Sequence, residues 1–314
     1  SFVGRSDTEV LLAGVVAWGV ETTLKRTNGM FAIALWDRER RELHLARDRL
    51  GEKPLYYGWH GKAFLFGSEL KALHAWPGFR PDIDRDALAA YLRHNYIPDP
   101  YSIYRGIAKL TPGCWLTLPA HARLGDRLVP RAYWSLSEAV EHGRRAPFEG
   151  SDVDGVEALD ATLRRSVADR MVADVPLGAF LSGGIDSSTV VALMQAQSAR
   201  PARTFSIGFT GPAYDEAPHA RAVAAHLGTD HTELYVSPEE TQAVIPQLPT
   251  MYDEPFADSS QIPTYLVSAL ARRHVTVAMS GDAGDELFAG YSRYTAAIAL
   301  WRRQARLPLA VRRG

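Results

Sequence analysis

The chain has 314 residues, enough for two domains with cores of their own. Lys and Arg total 35 against 36 for Asp and Glu, and a net charge of -1 gives no sign of a nucleic-acid or membrane partner. One cysteine, Cys114, excludes an internal disulfide framework and fits a reducing compartment. No stretch reaches the roughly 18 apolar residues of a membrane helix, and VLLAGVVAWGV (10–20), the nearest to it, reads as an ordinary buried helix.

The chain opens at Ser1, without a methionine, and runs almost directly into a helix, as an internal segment of a longer protein would. Residues 6–9, SDTE, have the form of a capping box, and the helix they start is expected to reach about Lys25. Asp7 falls in its first turn, where the helix dipole alone favours a carboxylate. Short strands are expected at 30–37, 40–48, 53–60 and 62–69, joined by polar turns, so this part reads as antiparallel β built from hairpins. Helices follow at 69–75 and 84–94, the second capped by Asp84. Residues 95–150 are proline-rich with little periodicity, and the domain junction is expected there, between about 120 and 152. Cys114 reads as a structural thiol of this connecting region.

From Asp154 the pattern changes. A helix at 154–172 leads to a strand at 175–181, a helix at 187–198 and a strand at 204–209. A helix at 215–227 ends on Gly228, a favourable C-terminal cap, before a strand at 231–236. Residues 237–240, SPEE, form a second capping box. A polar loop (252–262), a helix (263–273) and an apolar strand (274–279) complete the series. Strands alternating with helices indicate a parallel α/β sheet.

In such a sheet ligands bind beyond the carboxyl ends of the strands. Two strands here end alike: one runs into Ser182-Gly183-Gly184-Ile185-Asp186, the other into Ser280-Gly281-Asp282-Ala283-Gly284-Asp285-Glu286. Strand, glycine turn and helix start put free N–H groups and a positive dipole end together, which is a phosphate site. Asp186 beside such a cradle would repel the ligand unless a cation lay between them, and Asp186 with Asp285 makes a plausible Mg²⁺ pair. The bland alternative makes Asp186 the N-cap of a helix starting at Ser187. The Walker pattern G-x-x-x-x-G-K-[ST], with its phosphate-gripping lysine, is absent. His219, His226 and His231 show neither a metal-ligand motif nor a clear base partner and read as surface or packing residues.

SGGIDSS (182–188) resembles the pyrophosphate loop of the ATP-pyrophosphatase superfamily, whose members split ATP between its α and β phosphates. SGDAGDELFAGY (280–291), TFSIGF (204–209) and DEPFADSSQIPTY (253–265) narrow the resemblance to the glutamine-hydrolysing asparagine synthetases of the bacterial type. GRSDTEVLL (4–12), NGMFAIALWD (28–37), ARDRLGEKPLYYG (46–58) and SELKAL (68–73) resemble the second part of that family's glutaminase domain, so the likeness runs from about residue 4 to 294.

The resemblance implies an α/β chain: residues 1–130 from an N-terminal-nucleophile glutaminase domain of antiparallel β with helices, a linker at 131–152, and a parallel-sheet ATP-pyrophosphatase domain at 153–314. It implies that Leu181, Ser182, Gly183, Gly184, Ser187, Ile207, Ser280 and Gly281 contact ATP. Asp186 and Asp285 would be the catalytic acids that hold Mg²⁺ and pyrophosphate. Asp7 would grip the α-amino group of glutamine, against the dipole reading above, and Asp282 stands where many members have Glu. The implied reaction is adenylation of the aspartate side-chain carboxylate by MgATP and its amidation by ammonia from glutamine, with L-aspartate, L-glutamine and ATP as partners. The resemblance implies no nucleic-acid or membrane partner, a cytoplasmic compartment and a homodimer. The family's glutaminases use an N-terminal cysteine as nucleophile, whereas Ser1 here aligns well inside that domain and Gly314 stops short of the family's last helices, so the chain is expected to be a middle segment with both sites incomplete. A sister amidotransferase acting on a sugar acid or a β-lactam precursor stays open as an alternative. A thiolase acting on tRNA is disfavoured by the absence of a basic patch, and a non-catalytic binding protein by the paired acids.

Overall fold

A computed structural model describes residues 2–4, 6–126, 128–210, 215–308 and 312; Ser1 and Gly314, on which the expectations about the ends of the chain rest, lie outside them. The fold is mixed α/β, with two antiparallel sheets and one parallel sheet, as the sequence indicates. The chain forms two compact units, one of Ser1–Glu149 with Gln247–Asp258, the other of Gly150–Pro246 with Ser259–Gly314. No helix among the described residues is long and apolar enough to cross a membrane.

The first unit opens with a helix at Asp7–Trp18, which breaks at Gly19 (φ +77°) and resumes at Val20–Arg26 instead of running through. Ser6 caps it through the Thr8 N–H (3.2 Å), whereas the Glu9 carboxylate turns back to the Val3 and Gly4 amides, so the expected capping box does not form. Hairpins β1 (Ala32–Asp37) with β2 (Glu42–Arg47), and β3 (Tyr56–His60) with β4 (Ala63–Gly67), belong to different sheets. The proline-rich stretch supplies the strands that complete both. β5 (Ile107–Lys109) pairs with β3, β6 (Cys114–Pro119) pairs with β2, and β7 (Arg131–Ala132) adds to β6. Cys114 is therefore a sheet residue, buried with Leu45, Leu110 and Leu116, and not part of a connection; burial pushes its thiol pKa up. Its strand reads CWLTLP, apolar and β-branched, between prolines that mask it.

Residues 251–256 return to this unit. The Asp253 carboxylate accepts the Leu70 N–H (2.6 Å) at the start of the helix Leu70–His74, and Glu254 pairs with Lys109 (2.6 Å), both largely buried.

The second unit holds β8 (Leu177–Phe180), β9 (Arg203–Phe209), β10 (Asp230–Val236) and β11 (Val277–Met279), all parallel, in the spatial order β10-β9-β8-β11. Chain order 1, 2, 3 therefore runs outward to one side of β8, and strand 4 returns on the other. The direction of winding reverses between β8 and β11, which opens a crevice at their carboxyl ends. The helices Asp152–Met171, Ile185–Ala196, Ala217–Leu227 and Gln261–Ala271 cover the sheet, over cores centred on Val191, Leu181 and Met279 on one side and Phe205 and Val275 on the other.

Candidate functional site

The crevice is built by two loops. β8 ends with the Leu181 N–H donating to the Phe205 carbonyl of β9 (2.9 Å), and the chain then leaves the sheet. The turn closes on its own hydroxyls: the Gly184 N–H donates to Ser182 Oγ (3.3 Å), Ser182 Oγ bonds the buried Ser187 Oγ (2.9 Å), and that hydroxyl donates to the Gly184 carbonyl (3.3 Å). Gly183 has φ +83°, and a Cβ there would lie 2.7 Å from Ala220 N and 2.8 Å from the carbonyl carbon of His219, so no other residue fits. The helix begins at Ile185 on a Gly184 cap that has no side chain to take up the first-turn amides. Asp186 is thus the second helical residue and not its cap, which removes the bland reading of this acid.

The second loop follows β11, whose Met279 is in register with Ala179 of β8. Ser280 Oγ donates to Asp282 Oδ2 (2.9 Å). Ala283 is left-handed (φ +72°), a conformation that costs a residue with a Cβ about 1–2 kcal/mol. A Cβ on Gly281 would fall 2.7 Å from Ser187 N, and one on Gly284 would fall 2.5 Å from the Asp186 carboxylate. The loops therefore touch through bare backbone, with Asp186 over Gly284 and Asp285 next in the chain. Ile207 sits in β9 two residues beyond Phe205, at the same rim.

Leu181, Ser182, Gly183, Gly184, Asp186, Ser187, Ser280 and Gly281 stand at this edge, whereas His231 lies at the start of β10. Sequence reasoning missed Gly284 and the strained Ala283, although two glycines spaced around an alanine after a strand were a visible signal. Among the described residues no group of three or more His, Cys, Asp or Glu could hold a metal by itself. The Asp186 carboxylate lies against Gly284, whereas the Asp285 carboxylate turns to Gly290, where an added Cβ would overlap it.

Asp7 lies in the first unit. Its Oδ1 accepts the Thr8 N–H (2.7 Å) and approaches the Ser6 and Thr8 hydroxyls (3.4 Å each). It lines a cavity of about 750 Å³ with Thr27, Gly29, Phe31, Lys53 and Ser68. The Lys53 loop is held from beneath: buried Asp48 accepts the Glu52 and Lys53 amides (2.9 Å each), and Arg47 donates to the Gly51, Lys53 and Leu110 carbonyls. That accounts for the ARDRLGEKPLYYG stretch, whose structural role the sequence alone left unassigned.

His231 has more partners than expected. It bonds the hydroxyls of Thr204 (2.8 Å) and Ser206 (3.2 Å) and lies 3.4 Å from Glu233, and burial holds its pKa below the usual histidine value.

Fold and site together define a two-domain α/β protein: an antiparallel unit with a cavity lined by Asp7 and Lys53, and a parallel unit with a glycine-walled crevice at its switch point. Comparison with known families places residues 1–134 in the glutamine amidotransferase domain and 158–314 in asparagine synthase. The chain belongs to the asparagine synthase family.

It is 39% identical to the putative glutamine-hydrolysing asparagine synthetase 2 of Methanocaldococcus jannaschii, over 91% of this chain and 54% of that protein. It is 38% identical to a putative glutamine-hydrolysing asparagine synthetase of Mycobacterium tuberculosis (95% and 45%) and 35% identical to asparagine synthetase 1 of Bacillus subtilis (96% and 45%). The chain thus spans about half the length of these curated relatives.

Proposed function

We propose that the protein to which this chain belongs is a ligase that converts aspartate to asparagine with ATP and glutamine. The aspartate side-chain carboxylate attacks the α-phosphorus of ATP, forming the β-aspartyl-adenylate and releasing pyrophosphate. Ammonia from glutamine then adds to the acyl carbon and AMP leaves. A free carboxylate is a poor acyl donor, and adenylation supplies the leaving group.

The observation that carries this reading is the close contact of two glycine-containing loops at the switch point of the parallel sheet. Leu181, the turn Ser182-Gly183-Gly184, Ser187 and the Ser280-Gly281 backbone would hold the phosphates, and Ile207 would lie beside the nucleoside. Asp186 and Asp285 would hold Mg²⁺, which supplies charge neutralisation on the departing pyrophosphate. The uncapped first-turn amides after Gly184 would bind the same charge as it develops. In the first unit, Asp7 would pair with the α-ammonium of glutamine. The compartment is read as the cytoplasm and the assembly as a homodimer.

Intact gene product is incubated with MgATP, ammonia and either aspartate or a set of other carboxylic acids, and pyrophosphate is followed. Aspartate-dependent release supports the reading. Release with a sugar acid or a β-lactam precursor, and none with aspartate, would replace it by a sister amidotransferase.

A further inference from the structure

The back of the glycine turn is formed by the helix Ala217–Leu227, and its depth has to be set by something. Gly183 meets the backbone of that helix at His219 and Ala220, with no space for a methyl group. The face turned to the sheet carries buried Ala217, Ala220 and Ala224, with Val223 and Leu227 packed beside them, so the helix lies close to the sheet.

A polar line adds to this apolar packing and joins the helix to the strands. Arg221, one residue past the contact with Gly183, reaches over β10 and grips the Glu233 carboxylate with two parallel bonds (2.8 and 2.5 Å), while its Nη2 also donates to the Tyr235 hydroxyl (3.1 Å). Glu233 in turn lies 3.4 Å from Nε2 of His231. His231 joins β10 to β9 through Thr204 and Ser206, and Thr204 also bonds Thr229, just past the end of the helix (3.0 Å). A neutral imidazole with its proton on Nε2 satisfies all of these, accepting from Thr204 at Nδ1 and donating toward Ser206 and Glu233. The line Arg221–Glu233–His231–Thr204 therefore ties the helix to two strands of the sheet, and β9 is the strand whose Phe205 carbonyl receives the Leu181 amide at the start of the turn.

We propose that Arg221, Glu233 and His231 are positioning residues for the phosphate loop: by fixing the helix Ala217–Leu227 against β9 and β10 they set the shape of the turn at Gly183, and so the affinity for a nucleoside triphosphate. This rests on the ATP-dependent reading of the crevice. None of the three needs to touch the ligand. The planar fork of Arg221 matters more than its charge, because a lysine cannot span both carboxylate oxygens.

The test uses intact protein and measures ATP binding by calorimetry, together with KM for ATP and kcat for pyrophosphate release. Arg221→Ala and Glu233→Gln are expected to raise Kd and KM for ATP roughly 3- to 30-fold, the range for residues that act through an intervening element, with kcat and glutamine hydrolysis little changed. Arg221→Lys should fall between wild type and Arg221→Ala. Arg164→Ala, which breaks an exposed ion pair with Asp160 on another helix of the same unit, is the control and should leave ATP affinity alone. Unchanged ATP affinity in both Arg221→Ala and Glu233→Gln, or an equal loss in Arg164→Ala, overturns the proposal. Should Arg221→Ala not fold, Glu233→Gln keeps the volume and gives the same readout. Wild-type protein that binds no ATP overturns the reading of the crevice itself, a different failure from a variant that binds as well as wild type.

Discussion

Asp7 and Asp186 occupy nearly the same position in two helices of equal length, twelve residues each, one in each unit. Around Asp7 the helix satisfies itself: Ser6 caps it, and Asp7 takes the Thr8 amide. Around Asp186 the turn before the helix closes on its own hydroxyls, but the helix start has no side-chain cap. The cap is a glycine, and the carboxylate lies over another glycine from a different strand end. The first arrangement is what any stable helix start looks like, and function has to be argued from the cavity beside it. The second forgoes a cap, which contributes about 1 kcal/mol when a side chain supplies it, and leaves its first-turn N–H groups without a side-chain acceptor. Unused stabilisation at a helix start is the better evidence for a ligand.

The largest effects should separate the two acids. Asp186→Asn is expected to lower ATP-dependent pyrophosphate release about 10²–10³-fold, the scale for removing one charge-stabilising group from a reaction centre, and to leave glutamine hydrolysis intact. Asp7→Asn should raise KM for glutamine about 10- to 100-fold, the equivalent of a hydrogen bond to a charged group, and leave ammonia-dependent release unchanged. Loss of both activities in either variant would end the division of labour between the units.

The glycines sharpen the same contrast. Gly183 and Gly19 both have φ near +80°, but a Cβ on Gly19 meets nothing within 4 Å while one on Gly183 strikes backbone. Gly183→Ala should therefore abolish ATP binding. Gly19→Ala should cost only the left-handed penalty of about 1–2 kcal/mol, read as a drop of a few degrees in the melting temperature of the first unit. Equal effects would mean that the wall at Ala220 yields.

Much of this contrast could be read from the chain alone. The glycine turn after 175–181, the matching turn after 274–279 and the alternation between them follow from local rules of strand, turn and cap. Gly228 takes the left-handed cap expected of it, and Ser237 with Glu240 forms its capping box. What was not legible is long-range. Nothing local says that β6 pairs with β2 across some seventy residues, or that Asp253 and Glu254 return to serve a helix and a lysine in the first unit. Helix ends were misplaced where a glycine acts as cap, because Gly184 signals turn and cap equally. The Ser6–Glu9 box failed because the preceding amides of Val3 and Gly4 compete for the Glu9 carboxylate. His231 seemed idle because its partners, Thr204 and Ser206, are neighbours only through strand pairing.

A cap can be added or removed to test the contrast more finely. Gly184 has φ -71° and ψ 168°, ordinary cap geometry, and a Cβ there meets only Ser182 Oγ at 3.4 Å. Gly184→Ser should fold well and stabilise the second unit by a few tenths of a kcal/mol, yet weaken ATP binding, because its hydroxyl competes for the amides the phosphate needs. Ser6→Ala should do the reverse in kind: it costs about 1 kcal/mol of stability in the first unit with no comparable change in glutamine affinity. Thermal melts and calorimetric titrations measure both. If Gly184→Ser bound ATP as well as wild type, the missing cap would have no functional meaning.

The smallest effect is a pH dependence shared by the units. His44, buried on β2 with Nδ1 2.9 Å from Thr117 Oγ1, and His231 both have pKa values held below the ordinary histidine value, first of all by burial. Each binds fewer protons folded than unfolded as pH falls through the unfolded value of about 6.5. Stability must then rise with pH in that window, and it is lost on acidification until the folded values are passed. Glu233 acts in the same sense lower down, because Arg221 holds its pKa below the usual carboxylate value, so the stability it adds disappears as acid protonates it. Denaturant titrations at pH 7.5 and 5.5 should show both units weaker at the lower pH. His231→Gln should remove the difference from the second unit and leave that of the first, while also cutting the link from Glu233 to Thr204. A second unit that kept its full pH dependence in this variant would show that the protons are taken up elsewhere.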